Sequence, residues 1–295
     1  MTGSRPSSGP RAAINRAALL RRVRGYFDRA GILEVDTPAL SRYAVSDPQI
    51  ESLAVDESAV SPGPLYLHTS PEFCMKRLLA AGYPDIFSIC RVFRDGEAGR
   101  RHQPEFTMIE WYRRDFDLPG IIDDTLQLIV EALGPGAPSA SATIVDYCEV
   151  LTQACAVDAL QSPIEALADA AGADADLRAA IGDDRDAWLD LLLATRIAPG
   201  FDAGRITVLR HFPASQAALA RACPAEARLA DRFEVFHGGM ELANGFVELR
   251  DPAEQRRRML ADLEKRRATA REPLPVDEPL LAALESGLPE CAGVA

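Results

Sequence analysis

The chain has 295 residues, 47% hydrophobic and 26% charged, which is ordinary globular material sufficient for one large domain or two small ones. A net charge of -12 and a pI near 4.9 argue against a surface built throughout to hold polyanions, although a local basic patch stays open. No stretch reaches the ~18 apolar residues of a membrane helix, and the Ser-, Pro- and Gly-rich start lacks the apolar run of a signal peptide, so residues 1–11 read as a disordered head.

Six cysteines include no CxxC pair, and Cys74, Cys90 and Cys148 lie among apolar neighbours, which predicts reduced, mostly buried thiols and suits the cytoplasm. The four histidines are scattered and predict no metal-ligand set. From Ala12 to Ala30, the residues Ile14, Ala18, Leu19, Val23, Tyr26, Phe27 and Ala30 recur at helical spacing, with arginines opposite. Gly31 ends this amphipathic helix, and Ile32 to Pro38 reads as a short alternating strand. Ser41 to Pro64 is loop or irregular strand, and Leu65 to Thr69 is a strand running into a helix from Pro71 to Ala81, with Ser70 able to cap it. Glu72 stands in the first turn, where the helix dipole favours an anion.

Two β-prone arms, Ile86 to Phe93 and Phe106 to Tyr112, flank a polar loop holding Gly96, Gly99, Arg100, Arg101, His102 and Pro104, the pattern of a long-looped hairpin. Guanidinium, imidazole and carboxylate groups held between rigid strands are typical of a binding loop. Leu118 to Leu133 forms a helix, Gly134 to Ser139 a linker, and about 143–200 a helical insertion rich in Ala, Leu and Asp. Ile206 to Leu209 is a strand leading through Phe212 to Gln216 into a helix. Arg232 to Phe236, a Gly238-Gly239 turn and Met240 to Leu249 make a second hairpin carrying Glu234, Glu241 and Glu248. Acids are disfavoured inside strands, so these three are either a solvated face or a site. Pro252 to Arg267 is a charged helix, read as a solvated face.

The run Arg91-Val92-Phe93-Arg94 through Arg101-His102-Gln103-Pro104-Glu105-Phe106-Thr107-Met108-Ile109-Glu110-Trp111-Tyr112 resembles motif 2 of class II aminoacyl-tRNA synthetases, in their lysyl branch. Gly31 to Pro38 is similar to motif 1, and Phe233-Glu234 with Glu241 to Leu249 to the lysyl-type segment preceding motif 3. Thr69-Ser70-Pro71-Glu72, Glu110-Trp111-Tyr112-Arg113 and His211 to Gln216 look most like the stand-alone paralogues that attach (R)-β-lysine, and less well lysine, to elongation factor P. The helix beginning near residue 12 leaves no room before it for the anticodon-reading domain of the tRNA enzymes, and the acidic balance also makes tRNA the less fitting substrate.

The resemblance implies an α+β fold: a class II antiparallel sheet flanked by helices, one catalytic domain over 12–295, and a homodimer through motif 1. It implies ATP and Mg2+. The amino-acid carboxylate attacks the α-phosphorus, and the target lysine amine then attacks the adenylate, so the first step needs positioning and charge neutralisation more than proton transfer. By the same resemblance Arg94 is the catalytic, phosphate-holding residue, a role suited to a permanently charged fork. Glu97, His102, Gln103, Phe106, Glu234, Glu241 and Leu242 complete the ATP site, with Glu234 and Glu241 as the magnesium carboxylates. Ser70, Glu72, Tyr112, Asn244, Phe246 and Glu248 bind the diamino acid, Glu72 meeting one ammonium, and Glu248 and Tyr112 the other.

Gly96 stands where motif 2 has glutamate, with Glu97 next, and Gln103 where asparagine is usual. Glu290 to Ala295 resembles the opening of motif 3, whose Gly-x-Asp-Arg would follow; truncation there predicts weak ATP binding for a chain ending at this point. Ala295 stands where lysyl-tRNA synthetases usually have glycine, which fits the ligase branch. A tRNA-charging enzyme and a non-catalytic truncated paralogue remain the rival readings.

Overall fold

The computed structural model describes residues 9–59, 61–99, 102–134, 142–269, 271 and 274–295. The elements run α1 (Pro10–Arg29), β1 (Leu33–Glu34), β2 (Leu40–Ser41), β3 (Ala54–Val55), β4 (Leu65–Leu67), α2 (Glu72–Ala80), β5 (Ile86–Phe93), β6 (Glu105–Arg114) and α3 (Leu118–Leu133). There follow β7 (Thr143–Asp146), α4 (Tyr147–Cys155), α5 (Ile164–Ala171), α6 (Ala175–Ile181), α7 (Arg185–Leu192), β8 (Ile206–Arg210), β9 (Ala222–Cys223) and β10 (Glu226–Ala230). The chain closes with β11 (Arg232–His237), β12 (Met240–Val247), α8 (Pro252–Ala268), α9 (Glu278–Gly287) and β13 (Cys291–Val294).

These elements form two compact units. The first draws on 1–32, 119–210 and 233–243. Here α1 lies along α3: Arg22 Nε donates to Ala132 O at 2.8 Å, and the Tyr26 hydroxyl donates to Asp124 Oδ1 at 2.6 Å. Strand β7 pairs in parallel with β8, and β8 pairs antiparallel with β11. The aspartates of the helical stretch cap it: Asp174 accepts from Leu177 N, and Asp184 from Ala187 N, each satisfying a donor that a helix start leaves open.

The second unit draws on 33–118, 211–232 and 244–295 and contains the long hairpin, with β5 and β6 in register from Ile86↔Tyr112 to Phe93↔Glu105. Strand β1 joins β5 in parallel, and β13 lies between β6 and the C-terminal part of β12, antiparallel to both. Under this sheet α2, α8 and α9 bury Met75, Leu79, Met259, Leu280, Leu281 and Leu284 against Ile86, Tyr112 and Cys291. Each fully buried aliphatic side chain there contributes about 1.5–3 kcal/mol.

The helices at 10–29, 118–133 and 252–268 and the two long hairpins stand where sequence patterning puts them, α1 opening at Pro10 rather than residue 12. Other expectations are corrected. In α1 only Val23 and Phe27 are buried and Ile14 is exposed, so the apolar stripe is covered only in its C-terminal half. The Ile32–Pro38 strand shrinks to Leu33–Glu34, whose pairing with β5 ends at the bond from Val35 N to Phe87 O. Ser70 caps nothing; the N-cap of α2 is Pro71. Residues 143–146 are a strand, not helix, recruited by β8. After Phe212 there is only a 3-10 turn, Ala214–Gln216, followed by the β9–β10 hairpin. Cys223 and Cys291 are buried, whereas Cys74, Cys90, Cys148 and Cys155 are half-buried; all six are free. The α8 face is not simply solvated, since Arg266 is buried and meets Glu51 Oε1 at 2.6 Å. Residues 1–8 of the head, Arg100, Arg101 and most of the 134–139 linker lie outside the described residues.

Candidate active site

Register places one row of residues across three strands of the second unit: Tyr112 of β6 pairs with Gly293 of β13, and Gly293 with Phe246 of β12. Alternation puts residues i and i+2 on one face, so Glu110 joins Tyr112 and Asn244 joins Phe246. The middle position must be small. A Cβ on Gly293 would stand 2.5 Å from Glu248 Oε1 and 2.5 Å from Tyr112 Cε1, so close approach of side chains, rather than backbone torsion, requires glycine.

Helix α2 projects an ammonium into this corner. Lys76 Nζ lies 2.7 Å from Glu72 Oε1, one turn earlier, and 2.5 Å from Glu248 Oε2, and it stands 5.4 Å from the centre of the Phe246 ring. The Tyr112 hydroxyl donates to Glu110 Oε1 at 2.7 Å. Lys76, Glu110, Tyr112 and Glu248 are all buried and Glu72 is half-buried, so three carboxyls surround one resident cation. Burial pushes Glu248 up to about 8, against the pull of Lys76 and with the push of Glu72. Burial also holds Glu110 well above the carboxylate range, reinforced by Glu72. For Lys76 burial acts downward, but Glu248 and Glu72 outweigh it and hold the ammonium above its usual range. Buried Glu248 Oε1 and Glu110 Oε2 have no hydrogen-bond partner, an expensive state that a cationic donor would relieve.

At the other end of the hairpin, half-buried Arg94 reaches Thr69 O at 3.4 Å and Glu97 Oε1 at 3.7 Å, with Cζ 5.3 Å from the centre of the Phe106 ring. Gly96 explains the displaced acid of motif 2. Its φ of +76° is a left-handed turn that side chains disfavour, and it brings Glu97 back onto Arg94. His102 and Gln103 are exposed, and the His102 carbonyl accepts from Gly99 N at 3.0 Å. Asn244 is fixed by Arg232 Nε at 3.4 Å and by two backbone bonds to Ala295, each 2.9 Å.

The second unit thus gathers Arg94, Glu97 and Phe106 in one cluster and Glu72, Tyr112, Phe246 and Glu248 in another, with half-buried Ser70 just before α2. Glu234, Glu241 and Leu242 belong to the first unit; Glu234 is buried, and Glu241 and Leu242 are exposed. Sequence reasoning gave no role to Lys76, Glu110 or Gly293. The available signals were spacing: Lys76 is four residues after Glu72 on a helix, and Glu110 is two before Tyr112 on a strand. Around the β9–β10 hairpin His211, Cys223 and Asp231 come together with ligand atoms within 4.8 Å, a grouping the sequence did not announce, while Arg221 Nε donates to Asp231 Oδ2 at 2.8 Å.

An antiparallel sheet carrying a motif 2 hairpin with this arginine and aromatic defines the class. The family model for class II tRNA synthetases (D, K and N) matches residues 7–295, and the chain belongs to that family. Among its relatives, it is 44% identical over 299 residues to the elongation factor P–(R)-β-lysine ligase of Sodalis glossinidius, covering 98% of this chain and 89% of that protein. It is 42% identical over 304 residues to the ligase of the same name from Edwardsiella ictaluri, covering 100% of this chain and 91% of that protein. The Pectobacterium atrosepticum ligase is 41% identical over 306 residues, covering 100% and 90%.

Proposed function

We propose that the chain is an ATP-dependent ligase that activates (R)-β-lysine or lysine as an adenylate and transfers it to a lysine side chain of elongation factor P. The observation that carries this is the buried acidic corner, where Glu248 Oε1 stands without a partner beside Tyr112 and Phe246, packed over Gly293. Such a corner selects a second ammonium, because an analogue lacking it leaves buried carboxylates unpaired at roughly 1–3 kcal/mol or more. The names of the relatives support the same substrate and acceptor.

In this reading Arg94 holds the α-phosphate and the attacking carboxylate, and Phe106, on which the guanidinium already rests, offers its other surface to the adenine. Glu97 orients Arg94, and His102, Gln103 and Leu242 line the nucleotide site. Glu72 takes the ammonium nearer the carboxylate; Glu248 and Tyr112 take the distal one; Ser70, Asn244 and Phe246 shape the walls. Glu234 and Glu241 offer the hard carboxylate oxygens that suit Mg2+, which when bound would neutralise phosphate charge. The exposed apolar side chains of Ile14 on α1 and Leu33 on β1 support a homodimer. Among the described residues no helix is long and apolar enough to cross a membrane, and the free thiols favour a cytoplasmic setting.

ATP–pyrophosphate exchange tests the pocket. Exchange should depend on lysine or β-lysine, fall at least about tenfold with norleucine, and fall likewise in Glu248→Gln. Norleucine supporting exchange as well as lysine would contradict the assignment.

A further inference from the structure

Lys76 has no place in the substrate contacts above, yet it is among the most enclosed side chains of the second unit, 1% exposed. A lysine there is costly unless something requires it, because methionine would fill the same space without desolvating a charge. Its ammonium takes one oxygen of Glu72 and one of Glu248, and these two partners come from different elements, α2 and the segment just beyond β12. One oxygen is left over: Glu248 Oε1 has no hydrogen-bond partner and lies over Gly293, where it and Tyr112 occupy the place a Cβ would take.

We infer that Lys76 is a positioning residue: a built-in counter-ion that competes with the proton for Glu248 in the empty site and turns its free oxygen toward the incoming distal ammonium. This deepens the diamino-acid reading and rests on it. The charged and titratable groups around Lys76 are Glu72 from α2, Glu110 and Tyr112 from β6, Glu248 after β12 and Cys291 from β13; α8 contributes Met259 and α9 Leu280, Leu281 and Leu284 to the surrounding core. Without Lys76, no cation remains among these groups, so Glu248 would hold its proton to a higher pH than in wild type, and an ammonium could bind only after that proton is released.

The test is calorimetric binding of lysine and β-lysine to the full chain from pH 6.5 to 9.5, for wild type, Lys76→Met and Lys76→Arg. Lys76→Met should bind about tenfold or more weakly at pH 7, with the gap narrowing only above the pH at which wild-type affinity levels off, as the variant's Glu248 ionises later, and Lys76→Arg should keep the wild-type profile. Lys76→Gln replaces the methionine variant if the latter does not fold. A gap that is constant with pH, or tighter binding by the uncharged variant, overturns the role of Lys76 alone. If wild type binds neither diamine, the pocket reading itself falls and takes this inference with it.

Discussion

At the residue scale the controlling group is Glu248. Its folded-state pKa, up to about 8, lies above the ordinary carboxylate value, so the stability tied to its protonated form is present at low pH and lost as pH rises through 8. The unliganded protein should therefore lose thermal stability between pH 5 and 8.5, and Glu248→Gln should flatten part of that slope in calorimetric scans. Diamine affinity should move oppositely, strengthening by up to about tenfold per pH unit below pH 8, because the ammonium binds the ionised form. Gly293→Ala should cost about 1–3 kcal/mol in urea unfolding and abolish diamine binding, since the new methyl lands on Glu248 and Tyr112. Motif resemblance was enough to name Glu72, Tyr112 and Glu248. It gave Lys76 no role, because a lysine four residues after a glutamate is an ordinary exposed helix pair until a third strand buries it.

Elements differ in how much of their form the local sequence specifies. The motif 2 hairpin was legible almost to its ends because its arms alternate and its loop holds the turn residues. The β9–β10 hairpin was not: Ala, Glu, Arg and Leu at 226–230 favour helix, and pairing with β9 overrides that preference. Strand β7 was hidden for a related reason, since its exposed Ile144 gives no buried alternation and only pairing with β8 defines it. The α8 arginines looked uniform in sequence, yet Arg266 alone is buried, donating to the carbonyls of Asp47 and Ile50 and to Glu51, whose backbone carbonyl in turn accepts from Asp95 N beside Arg94. Arg266→Ala should lower unfolding free energy by about 1–3 kcal/mol in chemical denaturation, the cost of leaving the carbonyls of Asp47 and Ile50 without their donor, the partly exposed Glu51 being rehydrated.

At the scale of the whole molecule, an acidic chain of the class II family holds many of the basic groups among its described residues in ion pairs, such as Arg256 with Glu278 and Arg257 and Arg258 with Glu254. The class was legible from motif order alone, whereas the acidic corner needed three strands and a helix to be assembled from positions 72 to 293. The most direct test of the account is transfer of labelled lysine and (R)-β-lysine, with ATP, to elongation factor P and to tRNA-Lys offered side by side. The account predicts label on elongation factor P, with β-lysine preferred; label on tRNA-Lys alone would contradict it.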